Sequence, residues 1–466
     1  MKKADTDSDL WNATMMRYDM RIAFLHNALG KTDGVSLEVD KWKDVLTEMG
    51  HEVFYIAGNE SADNIVIPEL SFYHEQTKKE IKNATVELSD YSSGKALLYD
   101  IRNSAQIIKS KLYKIIEDLN IDVIIPNNLM SVGYHIAALK AIYELIEESK
   151  IRAICHNHDF YFEDSGEVLQ TCGEVLDILE DMAPPKLPNV KNLVINRIAQ
   201  RALFERKRIR ADIVPNVFDF DMKPWERDEY NASFLKDFNI KDDDLVFLQA
   251  TRVMDRKGIE LAIDVVACLN KHKDLLAGKT LYNGKKFNES SSIILLCAGI
   301  VENFGISSTY VEALIDKALK KQVDLRFIGE RVSHSRGECD GKKIYSLWDS
   351  YVYSDFVSYP SIWEGFGNQF IEAVFAKLPV LAFEYPVYIS DLKEKGFEIV
   401  SLGDKYTKCD GLISIDEKTV ERAGSEIINI LLDKTRADNM IKRNYAIAKE
   451  NYSYTVLKSI IKELKL

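Results

Sequence analysis

Short apolar runs alternate along the chain with longer stretches in which apolar residues recur every three or four positions. That is the pattern of a sheet interleaved with helices. Arg21 to Leu25 (RIAFL) reads as a buried strand and Asn27 to Gly34 as a turn-rich connection, while Val35, Val39, Trp42, Leu46 and Met49 form one helical stripe. Gly50 is placed to end that helix in a left-handed conformation, and Glu52 to Ala57 resumes as a strand. A second stripe, Ile101, Ala105, Ile108, Leu112, Ile115 and Leu119, leads into a strand at Val123 to Ile125 and a helix near Ile136 to Ile146. Strands at Ile151 to Cys155, Leu193 to Asn196 and Ile213 to Val214 complete a first α/β domain.

Between about Asp219 and Asp244 the apolar pattern lapses into charged residues, as expected of an interdomain connection. A second series follows, with strands at Leu245 to Ala250, Ile293 to Ala298, Asp324 to Ile328, Phe356 to Tyr359 and Val380 to Phe383. The reading is a mobile tail over 1–18, one Rossmann-like domain over 19–235 and another over 236–448, each a doubly wound parallel sheet, with a cleft between them. Ligands of such sheets bind outside the carboxyl ends of the strands, so residues that directly follow strands are the informative ones.

Composition narrows the picture. The 466 residues are 46% hydrophobic and 29% charged, and 61 basic against 73 acidic residues leave a net charge of −12. This argues against a nucleic-acid backbone as the principal partner, because phosphate contacts need clustered Lys and Arg. The longest apolar runs, such as Ile293 to Ala298, fall well short of a membrane span. The N-terminus turns polar and acidic after two lysines and lacks the apolar core of a secretory signal, so a cytoplasmic protein is expected. Six cysteines without a CxxC pair read as reduced, buried thiols. Lys191 to Arg210 carries seven basic residues and one acidic, which reads as a solvated helix face in preference to a membrane surface.

Several motifs fail on inspection. The two GKT tripeptides, at Gly30 and Gly278, have Leu25 and Lys273 where a phosphate loop needs its first glycine. Gly365-Phe-Gly367 has Phe370 where a dinucleotide fingerprint needs its third. Asp242-Asp243-Asp244 reads as a solvated turn, and no HExxH spacing occurs.

Four segments, each following a predicted strand, fit one chemistry. The Asn27 to Gly34 loop lets backbone approach a ligand closely. Thr251-Arg252-Val-Met-Asp-Arg256-Lys257-Gly258 leads into a helix at Ile259 to Leu269, and cations beside a helix N-terminus make an anion site. Tyr359-Pro-Ser-Ile-Trp-Glu364-Gly365-Phe366-Gly367-Asn368-Gln369-Phe370-Ile371-Glu372 puts Glu364 in a loop and Glu372 on the helix beginning near Asn368. His156-Asn157-His158-Asp159 ends the strand from Ile151. Taken singly, each is also compatible with a plain connection or a solvated face.

The stretch SDFVSYPSIWEGFGNQFIEAVFAKLPVLA resembles the Glu-x7-Glu region of the family 4 retaining glycosyltransferases, which have the GT-B fold. TRVMDRKGIELAI, VPNVFDFD and the first unit ending in GHEV extend the resemblance over most of the chain. It implies a hexosyltransferase that takes a hexosyl group from a nucleotide-diphosphate sugar and passes it, with retention, to a hydroxyl acceptor, without a metal or another cofactor. Arg252 and Lys257 would hold the donor diphosphate, Glu372 the ribose, and Glu364 with the amides of Gly365, Phe366, Gly367 and Asn368 the transferred sugar. A strand-end histidine would contact that sugar, with His158, beside Asp159, favoured over His156, and the Gly34 loop would approach the diphosphate. The family's last helix crosses back to the first domain, which 449–466 would supply through apolar Val456, Ile460 and Leu464. The pattern departs from the family at Thr32-Asp33-Gly34-Val35, which has one glycine instead of adjacent ones. It departs again at Glu384-Tyr385-Pro386-Val387-Tyr388, in place of a glycine-rich turn.

Within the same fold the alternatives are a sugar phosphorylase, whose pyridoxal-phosphate lysine no motif locates, or a nucleotide-sugar epimerase. Outside it stands a noncatalytic nucleotide-sugar-binding module.

Overall fold

The computed structural model describes residues 19–30, 34–163, 170–301, 306–409 and 411–466, with the side chains of 306–308 left aside. The tail expected over 1–18 lies outside them. The chain folds as two compact units, 1–217 with 454–466, and 218–453.

The first unit is built on a seven-stranded sheet of β1 (Arg21–His26), β2 (Glu52–Ala57), β3 (Asn64–Val66), β4 (Val123–Pro126), β5 (Arg152–Asn157), β6 (Val190–Val194) and β7 (Asp212–Ile213). The order is β3-β2-β1-β4-β5-β6-β7 and every pairing is parallel. The continuous apolar run of β1 has a simple cause: both faces of the sheet are covered. Ala23 and Leu25 pack with α2 (Gly94–Asp118) and α3 (Ile136–Ser149), while Ile22 and Phe24 pack on the opposite face with Trp42 and Leu46 of α1 (Gly34–Glu48). Each such buried side chain contributes roughly 1.5–3 kcal/mol.

Local signals set the helix ends. Ser93 caps α2 by accepting from the Ala96 amide at 3.3 Å, and Gly50, just beyond α1, has φ +96°. Asn196, expected in a strand, instead caps the helix Arg197–Lys207 by accepting from the Ala199 amide at 2.7 Å. The segment from Gly58 to Tyr99, which looks like an elaboration in the sequence, supplies the edge strand β3.

The second unit carries a six-stranded sheet of β8 (Leu245–Gln249), β9 (Ile293–Cys297), β10 (Asp324–Phe327), β11 (Phe356–Tyr359), β12 (Val380–Ala382) and β13 (Val400–Ser401). Its order is β10-β9-β8-β11-β12-β13, again wholly parallel. In both sheets the order reverses beside the first strand, between β1 and β4 and between β8 and β11. These switch points are where a doubly wound sheet opens a crevice for ligand.

Five expectations need correcting. The units divide at 217/218 and 453/454, not at 235/236 and 448/449. The supposed linker is packed: Phe218, Phe220 and Trp225 stack on Phe375, Phe220 also meets Tyr445, and the Phe218 amide donates to the Tyr452 carbonyl at 2.8 Å. Aromatic residues scattered among charges carry no periodicity, which is why the segment reads as a connection. The last helical stretch breaks at Ser453 into α7 (Lys434–Tyr452) in the second unit and α8 (Tyr454–Glu463) in the first. Its buried residues are Leu457, Ile461 and Leu464, against Trp42 and Leu46, with Ile460 partly buried against the same core, so Leu464 stands as expected while Leu457 takes the place read for Val456. Of the turn read as solvated, Asp242 is exposed, but Asp244 is buried in a brace, accepting from the amides of Ser292 at 2.7 Å and Lys241 at 2.9 Å. Finally, Cys155, Cys268 and Cys297 are buried thiols, but Cys339 and Cys409 are exposed.

Candidate functional site

In the second unit the chain leaves β8 through Thr251 and Arg252, and the Val253 amide pairs with the Ile300 carbonyl at 3.0 Å. The two loops touch so closely that a Cβ on Gly299 would sit 1.9 Å from the Thr251 carbonyl oxygen. A single 3-10 turn, Asp255–Lys257, then ends in Gly258 with φ +59°, which caps α4 (Ile259–Lys271). A side chain at Gly258 would meet the Pro360 carbonyl oxygen at 2.4 Å, so glycine is required for the turn to lie against the β11 loop.

That contact creates a charge cluster across the switch point. Lys257 Nζ donates to Glu364 Oε1 at 2.5 Å, and Arg256 Nη1 donates to Glu364 Oε2 at 3.2 Å and to the Trp363 carbonyl at 2.8 Å. The Ile362 amide closes the seam by donating to the Arg256 carbonyl at 2.9 Å. Lys257 and Glu364 are both buried. Burial pushes the Lys257 ammonium down from its ordinary value, opposed by Glu364, and the neighbouring Arg256 and Arg252 push it further down. Burial pushes the Glu364 carboxyl up, but Lys257 and Arg256 together hold it below the usual carboxylate range. Lys257 and Arg256 thus gather on the one buried carboxylate, and Arg252 stands exposed beside them, an arrangement in which basic side chains predominate.

Beyond Glu364 the chain passes through Gly365 and the buried Phe366 to Gly367, whose φ of +128° opens α6 (Asn368–Phe375). No side chain caps that N-terminus, and a helix start is a place where backbone amides and dipole favour an anion. Tyr385 holds the turn: its hydroxyl donates to the Phe366 carbonyl at 2.8 Å and lies 2.2 Å from where a Gly367 Cβ would be. The departure at Glu384 to Tyr388 thus supplies a brace in place of a glycine turn. Glu372, on α6, is buried and accepts from the Tyr351 hydroxyl at 3.1 Å.

In the first unit the polar groups are of another kind. His26 ends β1, Asn127 follows β4, and His156 and His158 end β5. The Asn127 side-chain amide donates to the Ile125 carbonyl at 3.1 Å, leaving its Oδ1 to accept from His156 Nδ1 at 3.1 Å, while its backbone carbonyl accepts from His26 Nδ1 at 2.8 Å. Both imidazoles therefore carry their proton on Nδ1. The His156 and His158 rings lie 4.4 Å apart, with Trp42 against His156 at 5.2 Å. The Nε2 atoms of His156 and His158 are buried without a hydrogen-bond partner. Burial pushes His156 down to about 3 and, with help from His156, His26 and Lys41, pushes His158 well below its ordinary value, so both rings are neutral.

The structure thus brings Lys257 to Glu364, with Arg252 close by, and His156 to His158. Asp159 is exposed and accepts from the Asn128 side chain at 3.0 Å, while the ring against His158 is that of His156. Gly34 is the exposed first residue of α1, and Thr32 and Asp33 lie outside the described residues. Among the described residues no group of three or more His, Cys, Asp or Glu side chains could hold a metal ion, and no helix is long and apolar enough to cross a membrane. Sequence reasoning gave no role to Arg256, Asn127, His26 or Tyr351. The first three follow strands and fall under the same strand-end rule, whereas nothing local marks Tyr351.

Comparison with known proteins agrees with this geometry. The family profile described as glycosyl transferases group 1 matches residues 232–446. The chain is 38% identical over 428 residues, 91% of its length and 96% of the relative's, to a mannosylglucosylglycerate synthase of Petrotoga mobilis. It is 36% identical to the protein of the same name from Thermotoga maritima, over 95% of this chain and 99% of that one. Among solved structures it is similar to sucrose-phosphate synthase from Thermosynechococcus elongatus, with TM-score 0.59 and 13% identity over 96% of this chain and 98% of the other. The catalytic domain of starch synthase IV from Arabidopsis thaliana gives TM-score 0.57 and 12% identity over 96% and 98%.

Proposed function

The chain belongs to the glycosyl transferases group 1 and has their GT-B type of fold, and from that premise we propose that it makes mannosylglucosylglycerate. In this reading it transfers a mannosyl group, with retention, from a nucleoside-diphosphate sugar to a hydroxyl of glucosylglycerate. The support for product and acceptor is the name of the two relatives that match nearly end to end.

The observation that carries the chemistry is the ion cluster of Lys257, Arg256 and Glu364 where β8 and β11 part. When the bond between the anomeric carbon and the diphosphate oxygen breaks, negative charge builds on the diphosphate. Lys257, Arg252 and the first amides of α6 are fixed in advance to receive it. Glu364 keeps Lys257 oriented and, with the amides from Gly365 to Asn368, meets the transferred sugar, while Glu372 takes the ribose hydroxyls. His158 hydrogen-bonds a sugar hydroxyl through its unpartnered Nε2, with His156 behind it. The acceptor oxygen bonds to the anomeric carbon from the face the diphosphate leaves, and its proton passes to the departing phosphate oxygen. None of these steps uses a metal ion or a cofactor, and the proposed setting is the cytoplasm.

The test is an assay of uridine, guanosine and adenosine diphosphate sugars, mannose and glucose, against glucosylglycerate and glycerate, with the product linkage read by NMR. A trisaccharide-like product with retained anomeric configuration supports the reading. Donor binding without turnover on any acceptor would make the protein a binding module, and phosphate-dependent cleavage would make it a phosphorylase.

A further inference from the structure

Glu372 is held by a residue from a different helix, and that residue is itself rigidly anchored. The short helix α5 (Leu347–Val352) opens with a reciprocal cap: the Asp349 amide donates to Ser346 Oγ at 3.3 Å and the Ser346 amide donates to Asp349 Oδ2 at 2.8 Å. Asp349 is further pinned by Arg336 at 2.5 Å and by the Asn231 side chain at 2.9 Å. One turn on, the buried Tyr351 ring packs against Trp225 at 5.3 Å and sends its hydroxyl to Glu372 Oε2 at 3.1 Å, with the Gln369 carbonyl at 3.4 Å.

We infer that Tyr351 is the positioning residue through which the protein reads the ribose of its donor: it fixes the Glu372 carboxylate in the orientation that accepts from the ribose hydroxyls. This rests on the proposed role of Glu372. A phenol is suited to the task. It donates one hydrogen bond, and a carboxylate offers about four lone-pair sites, so the bond orients Glu372 without exhausting it. Burial, with Glu372 beside it, keeps the phenol protonated, so it remains a donor over the whole working pH range. Rotating Glu372 away would leave the buried hydroxyl only the longer contact to the Gln369 carbonyl, 3.4 Å against 3.1 Å, which opposes other rotamers.

The experiment uses the full chain and the adenosine, guanosine and uridine diphosphates with their 2′-deoxy and 3′-deoxy counterparts, measured by calorimetry on wild type, Tyr351→Phe, Glu372→Gln and the double variant. The wild type is expected to prefer the ribose form of its base by about tenfold or more. Tyr351→Phe should weaken the ribose form about five- to tenfold while leaving the deoxy forms within about twofold, so discrimination narrows. With donor sugar the loss should fall on KM, with kcat nearly unchanged. In the Glu372→Gln background the tyrosine substitution should add nothing. If Tyr351→Phe discriminates like wild type while Glu372→Gln does not, Tyr351 has no such role and the assignment of Glu372 survives. If Glu372→Gln still discriminates like wild type, the ribose assignment fails and this inference with it. Weakening of ribose and deoxy forms by the same factor in Tyr351→Phe would reduce the residue to ordinary packing. Tyr351→Leu serves as a second variant if the phenylalanine protein melts early, with the same reading of the ratio.

Discussion

At the carboxyl ends of the first sheet, Asn127 accepts from Nδ1 of His26 and of His156, and burial keeps the His156 and His158 rings neutral. At the carboxyl ends of the second sheet, Lys257, Arg256 and Glu364 form a buried charged cluster. The two sheets have the same strand order around their switch points, so topology does not distinguish them. What differs is the way each pays for burying polar groups. Neutral rings need few partners and can leave an acceptor ready for a hydroxyl, whereas a buried charge must be matched. A surplus of cations then suits a diphosphate. One strand order, used twice, thus carries neutral rings at the end of one sheet and buried charges at the end of the other.

The sharpest way to break this comparison is at Lys257. Lys257→Met should lower turnover about 10²- to 10³-fold, and by leaving Glu364 buried without its ammonium it should also cost about 3–5 kcal/mol of stability. Adding Glu364→Gln should restore most of the stability and none of the rate. Recovery of turnover in the double variant would contradict the anion role. Arg252→Ala, at an exposed side chain, should lower the rate by about the same factor with an unchanged melting temperature.

Next in size is Gly258→Ala. A left-handed backbone alone costs a side chain about 1–2 kcal/mol, and the new Cβ would also press on the Pro360 carbonyl, 2.4 Å away. The melting temperature should fall and donor affinity with it, because the β8 loop can no longer lie against the β11 loop. A variant with wild-type affinity would show that the seam is not needed.

The histidine side is sharpened by pH. The folded value for His156 is about 3 against an ordinary 6.5, so between these the unfolded chain binds a proton that the folded chain refuses. Stability is therefore complete above about pH 6.5 and is lost as pH falls through that window, by up to about 1.4 kcal/mol per unit for this group. His135, pushed down to about 4 by burial, adds to the same trend. Melting curves from pH 7.5 to 5 should show the decline, and His156→Gln should flatten part of it. An unchanged slope in that variant would mean the ring is not buried as described. The smallest effect is expected from chelation: dialysis against EDTA should leave turnover unchanged, and loss restored by magnesium or manganese would overturn the metal-free reading.

Much of this was legible in the chain. Apolar runs covered on both faces announce parallel strands, and turn glycines with cations before a helix announce an anion site, because both signals are local. Lys257, Glu364, His156 and His158 were found in this way, one strand end at a time. The pairing of Lys257 with Glu364 was not, since a contact across 107 residues leaves no trace in spacing. Phe218, Phe220 and Trp225 looked like linker because irregular backbone has no period, although their rings are packed on α6 and α7. In the last helix Leu457 and Ile461 are the most deeply buried, with Ile460 partly buried beside them, a difference of one position that spacing alone does not resolve. Periodicity and strand-end position thus determined the class of fold and singled out polar groups that lie at the carboxyl ends of the strands. The tertiary structure alone decided which groups meet, which ring nitrogens carry protons and which tyrosine holds Glu372, because burial and long-range contact are properties of the packed chain.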